Sequence, residues 1–166
     1  FSDEIENIAN KMKNCLTNQQ TIFWAGNGGS CSQSQHYSAE LIARFKNNRP
    51  PLSSVSLCSD LTAITSIAND FGYEEIFARQ LKALSKKDDI AIFFSTSGIS
   101  KNILRGIEEA KNNFLHTVLI TGAKNKDKLP NTSNLIIVPS EETAIVQQIH
   151  DVIGHLLCDF VRSEEH

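Results

Sequence analysis

The sequence lacks any pairing pattern among its cysteines. The four cysteines are scattered along 166 residues without a CxxC or similar spacing: Cys15, Cys31, Cys58 and Cys158. Neither a disulfide framework nor a zinc-finger site is therefore predicted. Cys31 follows a glycine-rich stretch and could be read as a nucleophile, but we expect it to fill a small space beside the turn.

The sequence also lacks long apolar runs and any concentration of one charge. No apolar run reaches the roughly 18 residues that a membrane-spanning helix requires. Basic and acidic residues are interspersed and the net charge is −3, so no basic stripe for nucleic acid is present. No secretory signal is visible. We therefore expect a cytoplasmic protein that has neither a membrane nor a nucleic acid as a partner.

What the sequence does contain is a regular alternation of apolar runs and helical patterns. The apolar runs predict buried strands at 21–26, 52–58, 89–94, 117–121 and 135–138. The amphipathic patterns predict helices at 3–17, 30–45, about 59–68, 74–84, 102–112 and 143–161. Asp60 or Ser59 can cap the third helix, and the NDFG stretch at 69–72 is typical of a turn after it.

This alternation predicts a parallel sheet covered by helices on both faces. We expect one domain over residues 1–166, an α/β protein built as a three-layer α/β/α sandwich with about five parallel strands. Ligands bind such sheets at the carboxyl ends of the strands. GNGGS at 26–30 and STSGIS at 95–100 follow predicted strands, so both loops are expected at that edge.

The first of these loops is rich in glycine. Gly26, Gly28 and Gly29 let the backbone come close to a ligand. The helix that opens at Ser30 would favour an anion at its N-terminus. A tight strand-to-helix turn without any ligand is the alternative. The spacing is neither GxGxxG nor GxxxxGK[ST], so neither a dinucleotide nor a nucleoside triphosphate is indicated.

The second loop is rich in hydroxyl groups, which come from Ser95, Thr96, Ser97 and Ser100. Hydroxyls and helix N–H groups suit a phosphate monoester, because all its oxygens are hydrogen-bond acceptors. Helix capping is the competing interpretation, but a cap needs only one hydroxyl. No lysine of the Walker type is present, so we expect the phosphate to be held as a handle rather than transferred.

Two predicted helices carry ionisable side chains near these loops. His36, Glu40 and Arg44 recur every four residues, so they share one helix face. A solvated salt-bridge face is the alternative. In the last helix, Gln147 and His155 also share a face. His155 lies in the apolar stretch VIGHLLC and could instead be a buried core histidine.

A carboxylate and a histidine beside a sugar-phosphate site suit aldose–ketose isomerisation. This reaction moves a proton from the carbon next to a carbonyl to the neighbouring carbon. It needs a base such as Glu and an acid, such as His, that moves protons between the oxygens. Neither residue needs an organic cofactor.

The order of these motifs resembles the sugar isomerase (SIS) domain family, and within it the phosphoheptose isomerases. The resemblance runs from about residue 21 to 160 and rests on GNGGS, HYSAEL, NDFGYEEIF, STSG and the Gln-x7-His of the last helix. It implies a flavodoxin-like SIS domain that interconverts D-sedoheptulose 7-phosphate and D-glycero-D-manno-heptose 7-phosphate, an early step toward ADP- or GDP-heptose for lipopolysaccharide or capsule. It also implies a homotetramer with pockets between subunits, in which the helix at about 3–17 takes part in oligomer packing.

The resemblance further implies roles for individual residues. Glu40 matches the catalytic base and His155 the catalytic acid. The phosphate loop is matched by Ser95, Thr96, Ser97 and Ser100. The other substrate-binding positions are matched by Asn27, Gly28, Gly29, Ser30, Arg44, Asp70 and Gln147. Some family members bind zinc, and the matching ligand positions are His36, Glu40, Gln147 and His155, a donor set that zinc accepts. Zinc at that site would occupy the catalytic pair itself.

Two positions depart from the family pattern. Ile99 replaces the asparagine of STSGNS, and Ile145 stands where an arginine usually lies two residues before Gln147. These departures bear on which sugar is bound. Two alternatives stay open: an isomerase for another sugar phosphate, such as a hexose or pentose, and a non-catalytic SIS module that binds a sugar phosphate or a protein partner as a regulator.

Overall fold

The computed structural model describes residues 1–43 and 50–163. Its strands are β1 (Ile22–Gly26), β2 (Ser54–Ser56), β3 (Ile90–Ser95), β4 (His116–Gly122) and β5 (Asn134–Val138). Its α-helices are α1 (Ser2–Thr17), α2 (Gly29–Ile42), α3 (Leu61–Phe71), α4 (Ile76–Leu84), α5 (Lys101–Asn112) and α6 (Thr143–Arg162). Two short 3-10 turns occupy Tyr73–Glu75 and Lys126–Lys128.

The strands form one parallel sheet in the order β2-β1-β3-β4-β5. Gly26 at the end of β1 pairs with Phe94 of β3, and Phe94 pairs with Ile120 of β4. The winding direction reverses between β1 and β3, which makes their carboxyl ends the switch point where such sheets bind ligands. The predicted three-layer α/β/α sandwich and its flavodoxin-like strand order are confirmed.

Two apolar cores lie on opposite faces of the sheet. On one face α1, α2 and α6 enclose large side chains that include Trp24, Tyr37 and Phe94. On the other face α4 and α5, with α3 at the edge, enclose Phe23 and Phe93. Neighbouring residues of a strand point to opposite faces, and with both faces covered every residue of β1 and β3 is buried.

The predicted turn at 69–72 is wrong for residues 69–71, which belong to α3. Helix α3 continues through Asp70 to Phe71 and ends at Gly72, whose φ of 101° is readily adopted only by glycine. The 3-10 turn then precedes α4, which is therefore shorter than the predicted helix at 74–84. Capping propensity placed the start of α3 correctly, because the Asp60 side chain accepts a hydrogen bond from the N–H of Ala63 at 2.9 Å.

The edge of the sheet also differs from the prediction. β2 has three residues instead of the predicted 52–58, since it pairs only with β1. All four cysteines are free, as expected from their spacing. Helix α1 buries Ile5, Ile8 and Met12 within its own chain, so a role in oligomer packing would use its outer face. Among the described helices, none is long and apolar enough to cross a membrane.

Candidate active site

The glycine loop follows β1 and lies against the start of α6. Gly28 adopts a φ of 58° and is the N-cap of α2. A side chain at Gly29 would meet the Gln147 amide, because a Cβ there would lie 2.7 Å from Nε2. The Gln33 side chain donates to the Gln147 carbonyl at 2.8 Å, while Ser30 is buried beneath the loop. The structure thus brings Gly28, Gly29 and Gln147 into one surface.

Helices α2 and α6 bring three ionisable side chains together, two to three turns further along α2 than this loop. Nε2 of His36 lies 3.3 Å from Oε1 of Glu40, one turn further along α2. The same Nε2 lies 3.1 Å from Nε2 of His155 on α6. Two helix faces that the sequence indicates separately therefore meet in one group, which we call the His–Glu–His cluster.

The carboxylate of Glu40 is engaged on one side only. Its side chain is 18% exposed, and Oε2 is buried without a hydrogen-bond partner among the described residues. Leaving a buried carboxylate oxygen unpaired costs free energy. Such groups occur where a ligand, an ion or a proton completes the interaction. The geometry suits a carboxylate that takes up a proton.

His155 is oriented by its own helix and by Tyr37. Its Nδ1 lies 2.9 Å from the backbone oxygen of Asp151, so Nδ1–H donates there and Nε2 faces His36. The Tyr37 ring meets the His155 ring edge-on at a centroid distance of 5.6 Å. Its hydroxyl donates to Oδ1 of Asp151 at 2.8 Å, and burial together with this bond raises the pKa of Tyr37. A methyl group at Gly154 would overlap the Tyr37 ring.

The buried histidine of α6 is His150. Its side chain is 0% exposed and its ring lies 5.6 Å from that of Phe94. Burial lowers the pKa of His150 to about 4. The side chain of His155 is 39% exposed by comparison, so the interpretation of His155 as a core histidine is wrong.

The hydroxyl loop, residues 95–100, lies at the carboxyl end of β3. Gly98 adopts a φ of 70°, and a side chain there would overlap Leu129. Ser95 is buried, and its Oγ closes the turn by accepting a hydrogen bond from the N–H of Gly98 at 3.0 Å. The hydroxyls of Ser97 and Ser100 lie 3.4 Å apart. Ser97 and Ser100, two of the predicted phosphate ligands, are therefore adjacent in the structure.

These hydroxyls are not used for capping. Ser100 is the N-cap of α5, yet its side chain makes no capping hydrogen bond. Thr96, Ser97 and Ser100 are partly exposed. The N-terminus of α5 adds N–H groups and the positive end of its dipole. The loop therefore presents hydroxyl and backbone donors toward an anion, and simple capping does not account for it.

Two predicted site residues remain outside this arrangement. Asp70 is exposed on the last turn of α3, where it accepts a hydrogen bond from Asn69 at 2.9 Å. Within the described part of the chain it makes no contact with the His–Glu–His cluster. Arg44 lies outside the described residues, so its predicted place on the α2 face stays a prediction.

Asn27 is engaged with protein groups. Its amide exchanges two hydrogen bonds with the amide of Asn102, and its oxygen also accepts from the hydroxyl of Tyr73. The sequence pointed to neither of these partners. Asn102 follows the hydroxyl loop by two residues and Tyr73 follows NDFG by one, so proximity to a motif was the available signal.

The His–Glu–His cluster holds three of the four candidate metal ligands, whereas Gln147 lies beside Gly29. Within residues 1–43 and 50–163, no three His, Cys, Asp or Glu side chains converge on a single point as a ready metal site. The pairs do have suitable spacing, with His36 3.1 Å from His155 and 3.3 Å from Glu40. Donors of a tetrahedral zinc site with bonds of about 2.0–2.1 Å lie roughly 3.3 Å apart. The donor types are ones that zinc accepts, and the two separations in the cluster are close to this value.

The chain matches known proteins over most of its length. The family model described as SIS domain matches residues 2–122. The chain belongs to the SIS domain family. This SIS domain is 46% identical over 146 residues to a phosphoheptose isomerase from Helicobacter pylori (strain P12), covering 88% of this chain and 76% of that protein. It is 37% identical over 161 residues to the phosphoheptose isomerase of Maridesulfovibrio salexigens, covering 97% and 78% of the two chains.

Solved structures agree with these relatives. A phosphoheptose isomerase from Francisella tularensis superposes on this SIS domain with a TM-score of 0.92 at 34% identity, covering 98% of this chain and 86% of that one. One from Neisseria gonorrhoeae superposes with a TM-score of 0.89 at 33% identity, covering 97% and 86%. The chain is thus a member of the phosphoheptose isomerase family, which confirms both the predicted family and the predicted class of enzyme, an isomerase.

Proposed function

We propose that this chain interconverts D-sedoheptulose 7-phosphate and D-glycero-D-manno-heptose 7-phosphate. One observation carries the proposal. A carboxylate with an unpartnered buried oxygen, on Glu40, lies against the paired imidazoles of His36 and His155. The names of the relatives support a phosphorylated heptose as the substrate.

The hydroxyl loop would hold the phosphate group. Ser97 and Ser100 supply adjacent hydroxyls, and the N-terminus of α5 supplies backbone N–H groups and a favourable dipole. Glycine at 98 keeps the loop tight, because a side chain there would overlap Leu129. Binding the phosphate at this loop would direct the carbonyl end of the sugar toward the neighbouring glycine loop and the cluster behind it.

The cluster would then move two protons. Glu40 takes the proton from C1 of the ketose while the C2 carbonyl oxygen gains a proton from His155, giving a neutral enediol. The carboxyl group returns its proton to C2, and His155 takes the proton from the C1 hydroxyl as the C1 carbonyl forms. The net change moves one hydrogen between the carbons and one between the oxygens, and needs no external donor.

Zinc is part of the proposal as an optional ligand of the same cluster. His36, Glu40 and His155 would hold it. Gln147, the fourth predicted donor, lies beside Gly29, about two turns of α2 from His36. When bound, zinc would polarise the sugar oxygens as a Lewis acid. Native mass spectrometry of the purified protein, with His36→Ala as the comparison, would measure zinc per chain; equal zinc in both would remove the proposed ligand set.

We further propose a homotetramer with sites between subunits. The supporting observation is a set of exposed large apolar side chains on two helices, α6 (Ile145, Val152, Leu156, Phe160) and α3 (Leu61, Phe71). Exposed apolar groups of this size mark interfaces. Light scattering coupled to size exclusion would report four chains, and Leu156→Glu should lower that number. A wild-type monomer would refute the assembly.

The cytoplasmic location and the supply of ADP- or GDP-heptose for lipopolysaccharide or capsule also belong to the proposal, and their support is the family resemblance alone. The sugar itself is open to a direct test, since Ile99 and Ile145 are both exposed near the loops. A panel of hexose, pentose and heptose phosphates would rank the substrates. We expect the highest kcat/KM for sedoheptulose 7-phosphate.

The deciding experiment is an NMR time course with sedoheptulose 7-phosphate. Wild-type protein should form the aldose, and Glu40→Gln should not, because the amide cannot take the proton. Glu6→Gln, the same change at an exposed position of α1, serves as the matched control. Adding a chelator shows whether turnover needs a metal. Turnover retained in Glu40→Gln would refute the assignment of the base, and absence of wild-type turnover would refute the reaction.

A further inference from the structure

Two asparagine side chains join the glycine loop to the hydroxyl loop. Nδ2 of Asn27 donates to Oδ1 of Asn102 at 2.8 Å, and Nδ2 of Asn102 donates to Oδ1 of Asn27 at 2.7 Å. The hydroxyl of Tyr73 donates to the same Asn27 oxygen at 2.9 Å. An amide oxygen has two lone pairs, and both are used here. The Asn27 oxygen therefore has no capacity left to accept a hydrogen bond from a sugar hydroxyl.

Each asparagine also accepts a hydrogen bond from a backbone N–H at the start of a helix, α2 for Asn27 and α5 for Asn102. The backbone oxygen of Asn27 accepts from the N–H of Ser30 at 3.0 Å, in the first turn of α2. Asn102 is 2% exposed, lies in the first turn of α5, and accepts from the N–H of Ile103 at 3.0 Å. The strands that lead into the two loops are direct neighbours in the sheet. The pair is thus a short hydrogen-bonded link between the start of α5 and the start of α2.

We propose that the Asn27–Asn102 pair is a positioning device that couples phosphate binding at the hydroxyl loop to the placement of α2, the helix that carries His36 and Glu40. This inference rests on the proposed function. Phosphate binding fixes the hydroxyl loop and the first turn of α5. Because Asn102 is hydrogen-bonded to Asn27, the position of Asn27 is then fixed as well. The backbone hydrogen bond between Asn27 and Ser30 in turn fixes the first turn of α2. Binding energy from the non-reacting end of the substrate is then used at the reacting end.

A purely structural role makes a different prediction. If the pair only stabilised the fold, its loss would lower stability and impair phosphorylated and unphosphorylated sugars by the same factor. If it couples the loops, its loss impairs the phosphorylated sugar much more, because only that substrate uses the link. The ratio of the two kcat/KM values therefore separates the roles.

The chain offers a matched control on the same helix. Asn113 is the C-cap of α5 and donates to the carbonyl of Leu81 and to the hydroxyl of Ser85. Asn113→Ala removes an inter-helix amide of the same kind at the far end of α5. Asn102→Ala and Asn113→Ala should both lower the melting temperature, so a difference in the substrate ratio between them cannot come from lost stability.

The first measurement compares kcat/KM for sedoheptulose 7-phosphate with that for sedoheptulose. In Asn102→Ala we expect the ratio of the two to fall about tenfold or more, the size expected for one lost amide interaction in a buried link. In Asn113→Ala the ratio should stay within about twofold of wild type. An unchanged ratio in folded Asn102→Ala would overturn the proposal. Asn27→Ala, which removes the half-exposed partner, replaces it if Asn102→Ala does not fold.

A second measurement needs no turnover. Inorganic phosphate is titrated into ¹⁵N-labelled protein, and the amide signals of residues 95–100 and 28–31 are followed. Both groups should shift together in wild type and in Asn113→Ala, whereas only 95–100 should shift when the Asn27–Asn102 pair is removed. Failure of 28–31 to respond in wild type would overturn the coupling. Failure of wild type to convert sedoheptulose 7-phosphate would instead refute the proposed reaction and leave this measurement intact.

Discussion

Two polar regions of the molecule differ in whether their polar groups are satisfied. At the amino end of the sheet, Asn134 accepts hydrogen bonds from Lys11 at 2.8 Å and from His116 at 2.6 Å, and donates to Glu4. In the candidate site, the buried Oε2 of Glu40 has no partner among the described residues, and Ser100 of the hydroxyl loop makes no capping hydrogen bond.

The difference shows that shape alone does not identify a site. A cavity of about 210 Å³ lies at the amino end, lined by residues that include Lys11, Cys15 and His116. Lys11 and His116 already share Asn134, and burial is the main cause of the raised pKa of Cys15, about 12. Unpaired polar groups, rather than a hollow in the surface, mark the region where chemistry is expected.

The largest test of this contrast is Glu40→Gln in the candidate site. Turnover should fall about 10³-fold, the size of a lost general base, with little change in melting temperature because the amide keeps the shape. NMR turnover and calorimetry on the same sample measure both quantities. A large loss of stability together with activity would mean that Glu40 is structural, and the contrast between the two regions would not hold.

The second test removes the paired hydroxyls of the phosphate loop. Ser97→Ala combined with Ser100→Ala should raise KM for the sugar phosphate by about tenfold or more, because hydrogen bonds to a charged group are lost, and should change kcat less. Ser66→Ala on the exposed side of α3 is the control. Steady-state kinetics decide the matter, and an unchanged KM would mean that the phosphate is held elsewhere.

The third test concerns His150, which lies under the carboxyl end without facing it. Its folded-state pKa, about 4, is below the ordinary value near 6.5, so the unfolded chain binds the proton first as pH falls. The free energy of unfolding should therefore drop between about pH 6.5 and 4, by about 3 kcal/mol in total, and stay constant above that range. Urea titrations should show a smaller drop in His150→Gln; equal drops would contradict the assignment.

The smallest effect on turnover is expected at the amino end of the sheet, where the polar groups are already hydrogen-bonded. Asn134→Ala would leave the groups that it pairs without a partner and should cost about 1–3 kcal/mol of stability. Turnover per folded molecule should not change, because Asn134 makes no hydrogen bond to a group of the candidate site. Denaturant midpoints and kcat measured on the same preparation test this. A fall in kcat at full folding would show that the two regions are coupled.

The fold could be read from the sequence because its signals are local. Buried strands appear as apolar runs, such as IFWAG in β1 and IAIFFS in β3, and a capping aspartate marks the start of α3. The carboxyl-edge position of both loops follows from the rule for parallel sheets. The end of α3 was predicted too early, because NDFG has the composition of a turn. In the structure, only the last residue of this stretch, Gly72, leaves the helical conformation.

The site could be predicted only in parts, because its contacts join distant residues. Helical spacing places His36 and Glu40 on one face, but nothing local shows that α6 crosses there and adds His155. That crossing depends on the fit of Tyr37 against Gly154. Asn27 and Asn102 are separated by 75 positions, and no spacing rule joins them. Burial likewise distinguishes the core residue His150 from the partly exposed His155.

The contact between Tyr37 and Gly154 sets a limit for protein engineering. Every codon change that replaces glycine adds at least one carbon, and any such carbon would enter the Tyr37 ring. A saturation library at this position should therefore return almost only glycine. Efforts to widen the substrate range by directed evolution should start at the exposed Ile99 and Ile145 instead, where larger and smaller side chains can be exchanged without moving the two helices.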